Sequence, residues 1–186
     1  MPERSANKII LVEDTVQQNL VRRYMEQCGH ESRECRFVPL PARGPGGSGE
    51  KYVRDQYPHQ VQACRSSLGR RATALLVVIV DADMETTQWR ATQLSDSLQA
   101  LGMQARGNDE PIAVLIPKRH VETWIRALLG NCVDEVTDYT RPAPAAKEIR
   151  DAAGELHKWT RPGANPGPTS PASLNASIPE WQKIPS

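Results

Sequence analysis

Seven consecutive apolar residues, Ala74–Val80 (ALLVVIV), constrain this chain more than any other feature. Side chains alternate between the two faces of a strand, so a run that is apolar throughout must be covered on both faces. The β-branched content favours a strand over a short buried helix. Such a strand belongs at the centre of a parallel sheet. Lys8–Val12 (KIILV) and Ile112–Ile116 (IAVLI) have the same character, and Cys35–Leu40 has it more weakly. Between these runs lie segments with helical periodicity: Thr15–Cys28, Asp55–Ser67, Thr87–Leu101 and Val121–Leu129. In the first, Val16, Leu20 and Tyr24 share a face, and Gly29 stands where a C-terminal cap belongs. Pro58 is placed in the first turn of the second, where proline is tolerated. Strands alternating with helices, joined by right-handed crossovers, predict a Rossmann-like α/β fold. Its parallel sheet has about four strands, with helices on both faces.

The alternation ends near Thr140. Residues 1–140 read as one α/β domain, a suitable share of a 186-residue chain. Residues 141–186 read as an extension: a helix Ala145–Trp159, a linker Arg161–Ala172 (RPGANPGPTSPA), and a tail Ser173–Ile184. The tail is expected to dock through Leu174, Ile178 and Trp181. With a single Phe, the core must be built from Val, Leu, Ile and Ala. A net charge of +1 gives no strong field towards nucleic acid or a membrane, although a local basic groove remains compatible with it. No apolar run approaches a membrane span, and the opening MPERSANKIILVED is too briefly apolar for a secretory signal. The four cysteines have no C-x-x-C spacing and read as reduced thiols. The expected location is the cytoplasm.

In open parallel sheets, ligands bind beyond the carboxyl ends of the strands. Here those ends carry acids. KIILV is followed by Glu13 and Asp14, ALLVVIV by Asp81 and Asp83, and IAVLIP by Lys118, Arg119, His120 and Glu122. Carboxylates crowded on one rim repel, and a hard divalent ion, Mg²⁺ or Mn²⁺, would relieve them. Glu13, Asp81 and Asp83 are the expected metal ligands. If the chain stays extended from Asp81 to Asp83, both side chains face one way. Glu122 would bind metal or orient water, while Lys118 or Arg119 would hold a phosphate. Ordinary roles compete: Asp14 as a helix N-cap, Asp83 or Glu85 as a cap of the next helix, and Glu122 as a first-turn acid. His120 reads as a surface or capping residue more readily than as a base or ligand.

The glycine-rich stretch Pro41–Gly49 (PARGPGGSG) is expected to be a loop near this rim, with Arg43, Lys51 and Arg54 available to a nucleic-acid backbone. Gly44 and Gly49 have the spacing of a nucleotide phosphate loop, but Glu50 stands where lysine is required. Trp124 reads as core at helical spacing from Leu128. Trp89, Trp159 and Trp181 show no base-stacking pattern.

Glu13 in LVEDT and Asp81 and Asp83 in VIVDADM resemble the Toprim family, which carries a Glu after its first strand and Asp-x-Asp after its third. Glu122 and Trp124 in HVETWIRALL look like the helix start of small Toprim-related proteins of the RloB type. The resemblance spans roughly residues 8 to 130. Two positions depart from the family pattern: Asp14 follows Glu13 where Gly is usual, and Met84-Glu85-Thr86 lacks the common Gly. Toprim domains occur in topoisomerases, primases, recombination proteins and nucleases of the overcoming-lysogenization-defect type. They bind Mg²⁺ and cut or join phosphodiesters. The resemblance implies a small metal-dependent nuclease acting on DNA or RNA. It also implies a second reading: a non-catalytic subunit working beside a partner ATPase in phage defence. A third reading comes from IILVEDT, which looks like the opening of a receiver-type signalling domain with Asp81 as phospho-acceptor. Against it, Pro117 and Lys118 stand where a receiver needs Thr or Ser.

Overall fold

The structure is a computed structural model that describes residues 7–41, 48–70 and 73–185. Its centre is a four-stranded, all-parallel sheet of β1 (Lys8–Leu11), β2 (Cys35–Phe37), β3 (Leu75–Ile79) and β4 (Ile112–Leu115), in the order β2-β1-β3-β4. The helices between them are α1 (Thr15–Gln27), α2 (Gly49–Gly69) and α3 (Thr87–Ala100), and α4 (Val121–Leu128) follows β4. Two more close the chain, α5 (Ala146–Trp159) and α6 (Ala172–Trp181). The expected Rossmann-like α/β architecture is therefore what the chain adopts.

β3 lies inside the sheet and is buried at every position. Its two faces feed two cores. Leu75, Val77 and Ile79 pack with Ile10, Leu20, Tyr24, Trp124, Ile125 and Leu156, beneath α1, α4, α5 and α6. Leu76, Val78 and Val80 pack with Ile9, Leu11, Val53, Val61, Leu94 and Leu98, beneath α2 and α3. The apolar run had to be double-sided because the sheet is sandwiched. α5 and α6 belong to the first of these cores: Ile149, Ala152, Trp159, Leu174, Trp181 and Ile184 are all buried in it. The tail docks through Leu174 and Trp181 as expected, while Ile178 is only partly buried.

Two element boundaries and one backbone turn differ most from the sequence reading. β2 ends at Phe37, short of Leu40. The second helix begins at Gly49, capped by the Ser48 hydroxyl accepting the Lys51 N–H at 3.3 Å, rather than at Asp55. Pro58 consequently lies in the helix interior, not in the first turn. The third difference is at Asp83. The backbone does not stay extended there but turns through φ +54°, a left-handed conformation that Asp adopts more readily than most residues.

Candidate metal centre at the carboxyl rim

Glu13 follows β1 and Asp81 follows β3, and these strands are adjacent and parallel. The two acids are joined directly. The Asp81 backbone N–H donates to Glu13 Oε1 at 2.5 Å. The Glu13 N–H in turn donates to Gln17 Oε1 at 2.9 Å, from a glutamine wholly buried in α1. Glu13 also lies against the start of α2: a Cβ added at Gly49 would come within 2.9 Å of the Glu13 Cβ. Glycine is thus the residue that lets this helix begin beside the carboxylate.

Asp81 is 6% exposed, and its Oδ1 has no hydrogen-bond partner. Its Oδ2 lies 3.6 Å from His120 Nδ1. The same nitrogen lies 3.6 Å from Asp83 Oδ1. The left-handed turn at Asp83 therefore still brings both carboxylates to one point, by a route other than extension. His120 is the N-cap residue of α4 by position, but its side chain makes no capping hydrogen bond. It faces the acids instead. Asp14 caps α1, accepting the N–H groups of Val16 (2.8 Å) and Gln17 (2.9 Å), as its ordinary reading anticipated. Glu122 is buried in the first turn of α4 and feels the charges of Asp14, His120 and Asp138.

Burial and mutual repulsion govern the protonation of this group. Burial pushes the Glu13 carboxyl far above its usual range, and the neighbouring charges of Asp81, Asp83 and Asp14 push the same way. Burial also raises Asp81, against a lowering contribution from His120. Burial raises Glu122 too. The His120 imidazole moves up, chiefly through its interaction with Asp81. Burial is the first cause for each of the three carboxyls, so the rim favours holding protons over carrying its full negative charge.

The cations are arranged around the acids rather than among them. Lys118 Nζ donates to the Glu85 carbonyl at 2.6 Å, and Arg119 Nη1 contacts the Met84 sulfur. Both brace the turn that carries Asp83. Lys51 is paired with Asp55 at 2.8 Å and Arg54 with Glu50 at 3.0 Å. Arg43 lies outside the described residues. The strongest cation contact comes from Arg90, which sequence reasoning did not single out. It is 5% exposed, donates through Nε to the Asp81 carbonyl at 3.0 Å, and meets Glu50 Oε1 at 2.6 Å and Asp83 Oδ2 at 3.6 Å. Its one sequence signal is an arginine four residues past Thr86, on the face of α3 that Leu94 and Leu98 turn to the core.

No family model, curated protein or solved structure matches this chain. The resemblance to Toprim domains rests on the residues quoted for it. Among the described residues, no group of three His, Cys, Asp or Glu side chains is placed so that it could hold a metal ion. The donor chemistry nonetheless suits a hard divalent ion. Asp81 presents an unpartnered, buried oxygen, and the adjacent acids repel one another. No helix among the described residues is long and apolar enough to cross a membrane.

Proposed function

We propose that this protein is a metal-dependent phosphodiesterase acting on nucleic acid. The observation that carries the proposal is that Glu13 and Asp81 follow adjacent parallel strands, Asp83 stands two residues on, and Asp81 Oδ1 is buried and unpartnered. A buried acceptor without a donor costs on the order of 1–3 kcal/mol, and a cation at that oxygen would offset it. Glu13, Asp81 and Asp83 would hold Mg²⁺ or Mn²⁺. When bound, such an ion supplies Lewis acidity towards a phosphoryl oxygen and a more acidic water.

The chain's own groups have distinct tasks. Arg90 fixes the Asp81 carbonyl and so holds the carboxylate on the rim. Gln17 and the Asp81 N–H orient Glu13. Glu122, whose carboxyl is raised by burial, is suited to hold or release a proton beside a water. Lys118 and Arg119 shape the Asp83 turn, and after letting go of Glu85 and Met84 they would be the groups to meet a phosphate.

A second reading is a non-catalytic subunit that works beside a partner ATPase, in keeping with a phage-defence role. It is favoured by apolar exposure around the acids: Met84 is 77% exposed and Val136 79%. Met84 adjoins Asp83, and Val136 lies in the loop that brings Asp138 to His120. One experiment separates the two readings. Wild type and Asp83→Asn are compared on single- and double-stranded DNA and RNA with Mn²⁺, with binding measured at two salt concentrations. The nuclease reading expects metal-dependent cleavage by wild type, lost in Asp83→Asn while binding persists. Equal cleavage by both proteins, or none by wild type under any condition, would sink it.

A further inference from the structure

At the end of the sheet opposite the acids lies a cleft in which none of the rim residues takes part. It opens where the parallel strands begin: Lys8 starts β1, Leu75 starts β3 as its register partner, and Pro111 precedes β4. Its volume is about 490 Å³, within the roughly 300–1,000 Å³ of small-molecule sites. Leu68, Ala74, Leu75, Pro111 and Pro185 give it apolar walls, and Lys8, Lys183 and His30 stand among them. Asn7 and Thr73, also on the wall, satisfy each other at 2.6 Å.

The two lysines are withdrawn from solvent, with side chains 12% and 19% exposed. An ammonium has three N–H donors. Among the described residues, Lys8 donates one hydrogen bond, to Glu34 Oε2 at 3.2 Å. That oxygen is shared: it also accepts the Glu31 N–H at 3.1 Å and lies 3.8 Å from His30 Nδ1. Lys183 is engaged by the Ile112 carbonyl and by Glu180 Oε1, each at 3.3 Å. Glu180 is committed in turn to Arg106 and to the Val114 N–H. Ammonium donors thus remain unused beside an apolar cleft, while the neighbouring carboxylates are divided among other partners. The imidazole senses the same imbalance. Burial and the charge of Lys8 hold His30 below its ordinary pKa, against the opposing pull of the Pro185 carbonyl and Glu34.

We propose that this cleft binds a small monocarboxylate with an apolar body, its carboxylate received by Lys8 and its body lying against Leu68, Leu75 and Pro111. A single negative charge suits one ammonium with donors to spare. The apolar walls disfavour a strongly hydrated anion such as inorganic phosphate. The proposal stands apart from the metal reading, since the site lies at the other end of the strands.

The full-length chain, without added metal, is titrated calorimetrically with sodium decanoate, and in parallel with decyltrimethylammonium and inorganic phosphate. Decanoate is expected to bind saturably, one per chain, and the other two not to bind. The nuclear magnetic resonance signals of the His30 ring, identified by their loss in His30→Gln, should shift along the same titration. Lys8→Met should weaken decanoate binding about tenfold, as expected for one charge-assisted hydrogen bond. Leu68 is 36% exposed, so Leu68→Glu places a like charge in the cleft without touching the core, and should weaken binding by a similar factor. Equal binding of decanoate and decyltrimethylammonium would mean that the cleft takes any apolar chain, and would overturn the carboxylate assignment. Absence of saturable decanoate binding, unmoved His30 signals, or unchanged affinity in both variants would overturn the site itself.

Discussion

Asp81 concentrates the electrostatic cost of the rim in one side chain. Its carboxyl and that of Glu13 have raised pKa values, mainly through burial. For an acid raised on folding, the native state holds its proton where the unfolded chain has lost it. The stability this contributes is fully present below the ordinary carboxylate range and is lost as pH rises through the raised folded value. The metal-free protein should therefore weaken steadily from mildly acid to mildly alkaline pH. Asp81→Asn and Glu13→Gln remove a charge while keeping an oxygen acceptor. Each should raise the melting temperature at about pH 8.5 by roughly 5 °C and change it little at about pH 5. Melting curves across that range check this, and an unchanged slope in both variants would refute it. Saturating Mn²⁺ should flatten the wild-type slope as the substitutions do. These acids were legible in the sequence because strand ends in a parallel sheet mark a rim. Arg90, Gln17 and the direction of His120 were not, since each depends on how a helix rotates against the sheet, which periodicity fixes only roughly.

The elements show why the rim has this shape. α2 begins at Gly49 so that its first turn can lie on Glu13, and Arg90 in α3 ties Glu50 of that same turn to Asp81 and Asp83. Alanine is the better helix former, so propensity alone would have Gly49→Ala stabilise α2 by up to about 1 kcal/mol. The added Cβ at 2.9 Å from the Glu13 Cβ reverses the sign. We expect a net loss of about 1–3 kcal/mol and weaker metal binding, because Glu13 must move. Arg90→Leu strands Glu50 without its closest cation and should cost about 3 kcal/mol. Denaturant titration measures both; an Arg90→Leu loss below about 0.5 kcal/mol would mean that the buried ion pair contributes little. The same region is where sequence reading strayed. The helix start lay hidden behind a glycine-rich stretch and an interior proline, both of which read locally as loop or helix entry. The central strands were easy by contrast, because burial on two faces leaves little else that Leu75–Ile79 could be.

At the scale of the whole molecule, the open question for a parallel sheet is its edges. β4 is an edge strand, and unpaired N–H and C=O groups there would invite pairing with another chain. The C-terminal extension covers them. Glu180 in α6 accepts the Val114 N–H at 2.9 Å, while Arg106 at 2.7 Å and Lys183 at 3.3 Å donate to the Ile112 carbonyl. Arg106 and Glu180 also meet each other at 2.6 Å, so the edge is sealed by a linked set of charges. Further anchors hold α6 down. The Ser173 hydroxyl accepts from the Trp124 indole at 2.8 Å, and the Trp181 ring packs on Tyr24 with centroids 4.6 Å apart. Glu180→Ala should strand the Val114 donor and leave Arg106 without its partner, costing about 1–3 kcal/mol. Deleting residues 171–186 removes the seal and the Trp181 anchor together. The shortened chain should then associate in a concentration-dependent way, by edge pairing or through the uncovered apolar surface. Sedimentation velocity of the full and shortened chains across a hundredfold range of concentration, at about 0.15 M salt, tests this. A shortened chain as monomeric and as heat-stable as the full one would show that α6 is not what protects the edge.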